Sequence, residues 1–305
     1  MSTIENIVKK INIRGSIRRE EPLSRHTTFR VGGPAELFLQ PEDPEELPGL
    51  FALLHRERIP CFLLGGGANI LVADRGVRGA VVDLSALRGF LPEPGFGCLA
   101  GTPVSGLCEE ALRRGLAGLE FLYAMPGSAG GAVWMNARCY DRSVVDVLES
   151  VEYIDTGGHL HRSEPRPEEF GYKVSPFQTM EALILRVWFR VQRGDPQEIE
   201  RTMREHRADR ERKGHFLWPC AGSVWKNNRA FGEPTGRIID ALGLRGLRIG
   251  DAGVSDRHAN IVVNLGEARA ADILSVMERV EAIVRERRGL HLEREVLLVG
   301  DFRSG

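Results

Sequence analysis

The sequence predicts an α+β protein of more than one domain, and three observations carry that reading. Short apolar strands alternate with glycine turns over residues 26–84, amphipathic helical stretches recur between later strands, and no internal repeat or low-complexity linker breaks the pattern. At 305 residues the chain is long enough for two domains or three small ones, each with its own apolar core.

Residues 1–25 are polar and charged, with a weak apolar period through Ile4, Ile7 and Ile11 that gives a short helix or an extended lead-in. TTFRVGGPAELFLQP (27–41) reads as a strand broken by a Gly-Gly-Pro turn, then a second strand at 35–39. A helix over 44–58 turns Leu47, Leu50, Phe51 and Leu54 inward, with Pro48 and Gly49 weakening its first turn. The run 61–64 reads as a fully buried strand, and 70–72 and 80–84 as short strands. Ser105 caps a helix reaching Arg114, with Leu107, Ala111 and Leu112 on one face and Glu109 near enough to its start to favour the helix dipole. Residues 144–154, a glycine turn at 157–158 and residues 159–161 suggest a surface hairpin, and 182–191 a strand. A charged, mostly wet helix over 196–213 carries Ile199, Met203 and His206 as its sparse stripe. The clearest helix, 268–287, turns Ile273, Met277, Val280 and Ile283 or Val284 inward, and a strand at 295–300 closes the chain.

Composition narrows the function classes. The 41 Lys and Arg balance 42 Asp and Glu, so no net positive field gathers a nucleic-acid backbone, although local basic pockets for a phosphorylated small molecule are compatible with it. The five cysteines are widely spaced with no CxxC pair, which favours reduced thiols over a disulfide framework or structural zinc. The N-terminus lacks the apolar core of a signal peptide, and no stretch approaches a membrane span. A cytoplasmic enzyme is expected, with monomer as the default state.

Two glycine-rich segments are candidate cradles. In LGGGANIL (64–71) a strand runs into three glycines and Asn69, so consecutive backbone N–H groups can form an anion nest. It is neither the GxGxxG fingerprint nor a P-loop, and three glycines alone are more often a tight turn. In MPGSAGGAVWMN (125–136), Pro126 and Gly127 set a turn while Gly130, Gly131 and Ala132 clear a contact surface; a structural turn is the alternative here too. Two such loops flanking one sheet strengthen the nucleotide reading. Arg30, before Gly32 and Gly33, adds charge to the same phosphates or is a surface cation.

Taken in order, HTTFRVGG (26–33), LGGGANIL (64–71), MPGSAGGAVWMNARCY (125–140), GYKVSPF (171–177), AGSVWKN (221–227), GLRIGDAGVSDRHANIVVN (246–264) and EREVLLVG (293–300) resemble the bacterial UDP-N-acetylenolpyruvoylglucosamine reductase family over nearly the whole chain. The resemblance implies a two-part FAD-binding region of the vanillyl-alcohol-oxidase/PCMH type over 1–191, with subdomains at about 1–90 and 91–191. A substrate-binding reductase C-terminal domain would follow over 192–305, its last strand at 295–300 returning to the FAD region. Non-covalent FAD would be held by Arg30, Gly65, Gly66, Gly67, Ala68, Asn69, Ile70, Leu71, Pro126, Gly127, Ser128, Gly130, Gly131 and Ala132. NADPH would be the reductant and an enolpyruvyl UDP-sugar the substrate. With about 43 residues between Phe177 and Ala221 and no inserted subdomain, the chain resembles the shorter architectural type.

The same resemblance assigns the catalytic groups. Ser223 matches the proton-donating serine; read alone it is more often a turn or cap residue. Glu295 matches the active-site acid. Glu293 lies two residues away on the same strand face, so adjacency does not choose between them. Facing a developing negative charge, that carboxyl should be protonated or paired with a cation. Lys173 departs from the family, which has arginine there; lysine keeps the charge and loses the planar fork. Arg138 is a second departure, standing where the family has glycine, and is directed at a phosphate or at solvent. Tyr140, Tyr172, Lys226 and Asn227 match substrate contacts. His159 and His161 share a strand face without a third ligand and read as solvated, so no metal is expected. Another FAD-dependent oxidoreductase of the same flavin fold, or a catalytically silent nucleotide-binding protein, are the competing functions.

Overall fold

A computed structural model describes residues 3–302, and the chain divides into two compact units. The first comprises Met1–Glu21, Glu36–Gly66 and Arg78–Arg207, the second Pro22–Ala35, Gly67–Val77 and Ala208–Gly305. This division follows contacts and differs from the sequential one at 191/192: two N-terminal stretches belong with the C-terminal third, and the chain changes unit within the glycine triplet 65–67.

The first unit holds two four-stranded sheets. One is ordered Gly15–Pro22, Pro34–Pro41, Val77–Asp83, Cys61–Leu64, the last two parallel. Against it packs the helix Leu47–Arg56, whose Leu47, Leu50, Phe51 and Leu54 are buried as the spacing predicts. The other sheet is antiparallel, ordered Leu160–Ser163, Leu148–Ile154, Leu183–Phe189, Phe96–Leu99. Its core takes Leu107 and Ala111 from the helix Val104–Arg113, Ala129, Ala132 and Val133 from the short helix Ala129–Trp134, and Ile199 and Met203. The charged helix Pro196–Arg212 thus buries Ile199 and Met203 of the sparse stripe read from the sequence and leaves His206 half-buried.

In the second unit an antiparallel sheet is ordered Cys220–Ser223, Ile261–Asn264, Ala252–Val254, Arg248–Ile249. The helix Ala270–Arg288 buries Ile273, Val276, Met277, Val280 and Val284 in the same core, so Val284 rather than Ile283 completes its inward face. Leu297–Val299 pairs in parallel with Ile70–Val72.

Four local expectations fail for identifiable reasons. The strand expected at 27–31 is a turn: the Arg30 amide donates to the Thr27 carbonyl, the Thr27 hydroxyl to the Val31 carbonyl, and Arg30 has φ 56°. Gly15–Pro22 is a strand that the sequence hides, because most of its residues are exposed, half are charged and no apolar alternation marks it. Ser105 lies inside its helix, which starts at Val104 with extended Pro103 at the cap position. Cys61–Leu64 buries only Leu64 fully. Among the described residues no helix is long and apolar enough to cross a membrane.

Candidate active site

In the first unit the two glycine segments touch. A Cβ on Gly66 would stand 2.5 Å from Gly127 Cα, and one on Gly65 2.5 Å from Ser128 Oγ, so side chains are excluded where the loops meet. Among the described residues no protein acceptor takes the amides of Gly65, Gly66, Gly127 or Ser128. Four uncommitted N–H groups on two apposed loops suit an anionic group such as a dinucleotide pyrophosphate, which is the test an FAD site should pass. Farther along, the amides are spent: Gly130 donates to the Ala100 carbonyl and Gly131 to Ser128 Oγ, and a Cβ on Gly130 would lie 2.7 Å from Ala100 Cβ. Gly130 is explained by packing. Ala132 is buried beside it, and Pro126 is exposed at the turn.

The remaining cradle residues belong to the second unit. Gly67, at φ 60°, lies so close to the His26 carbonyl that a Cβ would stand 2.0 Å from its oxygen. Ala68 is half-buried, while Ile70 and Leu71 are core residues of the strand paired with Leu297–Val299. Asn69 grips that strand: its Nδ2 donates to the Glu295 carbonyl at 3.0 Å, and its own carbonyl accepts the Leu297 amide at 3.0 Å. Arg30 is exposed in a left-handed turn.

Ser223 ends the strand Cys220–Ser223 opposite Ile261, after a register shift at Gly222, whose φ is 73°. Its side chain is half-buried, and among the described residues no protein group hydrogen-bonds the hydroxyl. The chain beyond it is held from two sides. Asn260 accepts the Trp225 amide at 2.9 Å and donates to the Trp225 carbonyl at 2.8 Å, so one side chain does the work of a strand partner. From the other side the Glu295 amide donates to the Val224 carbonyl at 2.7 Å, and Lys226 donates to the Glu293 carbonyl at 2.8 Å. Glu281 fastens both segments, accepting from Trp225 Nε1 at 2.8 Å and from Arg294 at 2.6 and 2.7 Å; that bond raises the Arg294 pKa.

This arrangement separates the two glutamates that the sequence left equivalent. Glu293 points out and pairs with Lys226 at 2.6 Å, whereas Glu295 is 9% exposed. Lys226 is therefore committed to Glu293, and the Asn227 Oδ1 accepts the Thr235 amide at 3.0 Å.

Back in the first unit, Tyr172 and Lys173 form the tip of a tight hairpin, with Lys173 half-buried at φ 61° and Tyr172 41% exposed. Tyr140 stacks on His206 with ring centroids 3.8 Å apart, and its hydroxyl donates to the His206 carbonyl at 3.1 Å. Arg138 donates to Ser143 Oγ and Asp141, each at 3.2 Å, so it is held locally. His159 and His161 share the Asp155 carboxylate at 3.3 and 2.7 Å. Sequence reasoning missed Asn136, Gln178, Trp225 and His206 as supports for these groups. Its available signal was position alone, since each lies in or beside a matched segment or on a helix stripe.

Comparison with known proteins adds independent findings. Residues 213–299 match the family described as UDP-N-acetylenolpyruvoylglucosamine reductase, C-terminal domain, and residues 35–164 match the FAD binding domain. The UDP-N-acetylenolpyruvoylglucosamine reductase of Borreliella burgdorferi is 38% identical over 300 residues, covering 98% of each chain. That of Caldanaerobacter subterraneus is 38% identical over 296 residues, covering 96% of this chain and 97% of the relative. The crystal structure of UDP-N-acetylenolpyruvylglucosamine reductase (MurB) from Thermus caldophilus superposes with a TM-score of 0.79 at 36% identity, covering 95% of this chain and 100% of that one.

Proposed function

The chain belongs to the UDP-N-acetylenolpyruvoylglucosamine reductase family, and from that membership we propose that it reduces the enolpyruvyl ether of a UDP-N-acetylglucosamine to UDP-N-acetylmuramate, with NADPH as reductant. Its fold is an FAD-binding region of the vanillyl-alcohol-oxidase/PCMH type followed by a reductase C-terminal domain, and it is a flavin-dependent oxidoreductase of cell-wall precursor synthesis. In functional terms we assign FAD binding to 1–191 and substrate binding to 192–305. We propose that it acts in the cytoplasm as a monomer, without nucleic-acid, membrane or metal partners.

FAD, when bound, would supply the hydride chemistry between NADPH and the enolpyruvyl methylene carbon. The open amides of Gly65, Gly66, Gly127 and Ser128 would take its phosphates; the assignment of Arg30, Gly67, Ala68 and Asn69 to the cofactor rests on the family resemblance alone. Ser223 gives the proton to the neighbouring carbon. A half-buried hydroxyl with no protein partner among the described residues suits that task, because none of them competes for its hydrogen. Electrons pushed onto the substrate carboxylate need a fixed positive charge, which Lys173 supplies. Tyr140 and Tyr172 are assigned to the sugar nucleotide. Lys226 and Asn227, engaged with Glu293 and Thr235, are assigned to shaping the segment beside Ser223.

The observation that carries the reading is the 2.7 Å bond from the Glu295 amide to the Val224 carbonyl, which seats the acid one residue from the serine. A yellow protein that bleaches with NADPH and recolours on adding the enolpyruvyl nucleotide is the expected result. Bleaching followed by recolouring only with oxygen would instead support an oxidase of the same fold.

A further inference from the structure

Residues 171–174 close a hairpin by reciprocal backbone bonds, Gly171 N–H to the Val174 carbonyl at 3.0 Å and Val174 N–H to the Gly171 carbonyl at 3.2 Å. Lys173, at its tip, has φ 61°, a left-handed conformation that a residue with a Cβ keeps only when its surroundings hold it there. Two amide side chains do the holding. Asn136 Nδ2 donates to the Gly171 carbonyl at 2.8 Å while its Oδ1 accepts the Val145 amide at 3.1 Å. Gln178 Nε2 donates to the carbonyl of Lys173 itself at 3.0 Å and to that of Trp134 at 3.1 Å. A carboxamide carries two N–H hydrogens, so each carbonyl can receive its own.

Trp134 gives the second bond its meaning. It is the last residue of the helix Ala129–Trp134, and helix-end carbonyls lack intrahelical partners. Ser175 Oγ donates to the same carbonyl at 2.6 Å. At the other end of the helix stands Ser128, whose amide is one of the four open donors of the touching glycine loops. Six residues at a rise of about 1.5 Å make a strut of roughly 9 Å.

We infer that Gln178 is a positioning residue for Lys173: it ties the backbone of the tip to the end of the strut, and so fixes the ammonium relative to the loop at 126–128. The inference rests on the reading of Lys173 as the group that grips the substrate carboxylate. Asn136 sets the hairpin's base, whereas Gln178 bonds the backbone of the residue that bears the charge.

Gln178→Glu tests it with almost no change of shape, because an acceptor-only carboxylate then faces two carbonyl oxygens. Gln178→Ala is the second variant should the first not fold. Affinity for the enolpyruvyl nucleotide would be read by calorimetry, alongside FAD content, melting temperature and the rate of bleaching by NADPH. The expected result is weaker nucleotide binding and slower reoxidation, about 10- to 100-fold together, with FAD content and bleaching unchanged. In a Lys173→Ala background the same substitution should cost less than about twofold, since a residue acting through Lys173 has nothing left to position. An equal loss in both backgrounds, no loss at all, or parallel loss of FAD overturns the inference. Wild-type protein that binds FAD yet neither binds nor reduces the nucleotide overturns the functional reading beneath it, a result distinct from any of these.

Discussion

Ser223 and Lys173 are held in opposite ways. The serine stands on a strand whose continuation is among the most enclosed segments of the molecule: Trp225 is fully buried, Asn260 is 3% exposed, and Glu281 and Arg294 lock the flanking chain. The lysine stands on an exposed hairpin, between half-exposed Tyr172 and Val174, kept in a strained backbone by two amides. One group is fixed by a core that folding must build in any case, the other by a few replaceable hydrogen bonds. Damage around the serine should therefore cost stability, and damage around the lysine should cost chiefly substrate handling.

The largest effect should come from the serine itself. Ser223→Ala should leave bleaching by NADPH intact and slow nucleotide reduction about 10²- to 10⁴-fold, the usual worth of a positioned proton donor. Unchanged turnover in a stopped-flow comparison would move the donor elsewhere. Next comes Asn260→Ala, which strands the Trp225 amide and carbonyl in the core. At about 1–3 kcal/mol for each buried group left unpaired, denaturant unfolding should show a loss of about 2–6 kcal/mol. Gln178→Ala should lose well under half of that, and equal losses at the two sites would erase the contrast drawn here.

The smallest effect is a pH dependence confined to the second unit. Burial pushes the His215 imidazole down to about 4, with Arg210 and His258 adding to the shift, and burial lowers His258 in the same direction. The unfolded chain then binds more protons than the folded one between about pH 6.5 and 4, so stability falls as pH drops through that window and is level above it. Thermal unfolding from pH 8 to 4 should show this decline, and His215→Gln should flatten part of it. A decline that persists in full would assign it to carboxylates.

The asymmetry also governs how much could be read in advance. Helices with a continuous apolar stripe were legible: 44–58 and 268–287 bury the predicted residues nearly one for one, because a period of 3.6 residues is a local property. The strand Gly15–Pro22 was not, since an edge of charged side chains carries no alternation. At the site, both glycine cradles and the stretch around Ser223 were visible as motifs. The amides that support them were not, because Asn136, Gln178 and Asn260 each act on a carbonyl or amide far away in sequence.

By itself, then, the sequence determined most of the succession of elements and the two glycine loops, both of which depend on neighbours along the chain. Only tertiary structure decided that the loops meet at Gly66 and Gly127, that Glu295 is enclosed while Glu293 turns outward to Lys226, and that Arg138 is taken up by Asp141 and Ser143. Those outcomes depend on which backbone groups find partners across long stretches of chain. The great majority of buried N–H and carbonyl groups must find one, and that requirement is met by the whole fold at once.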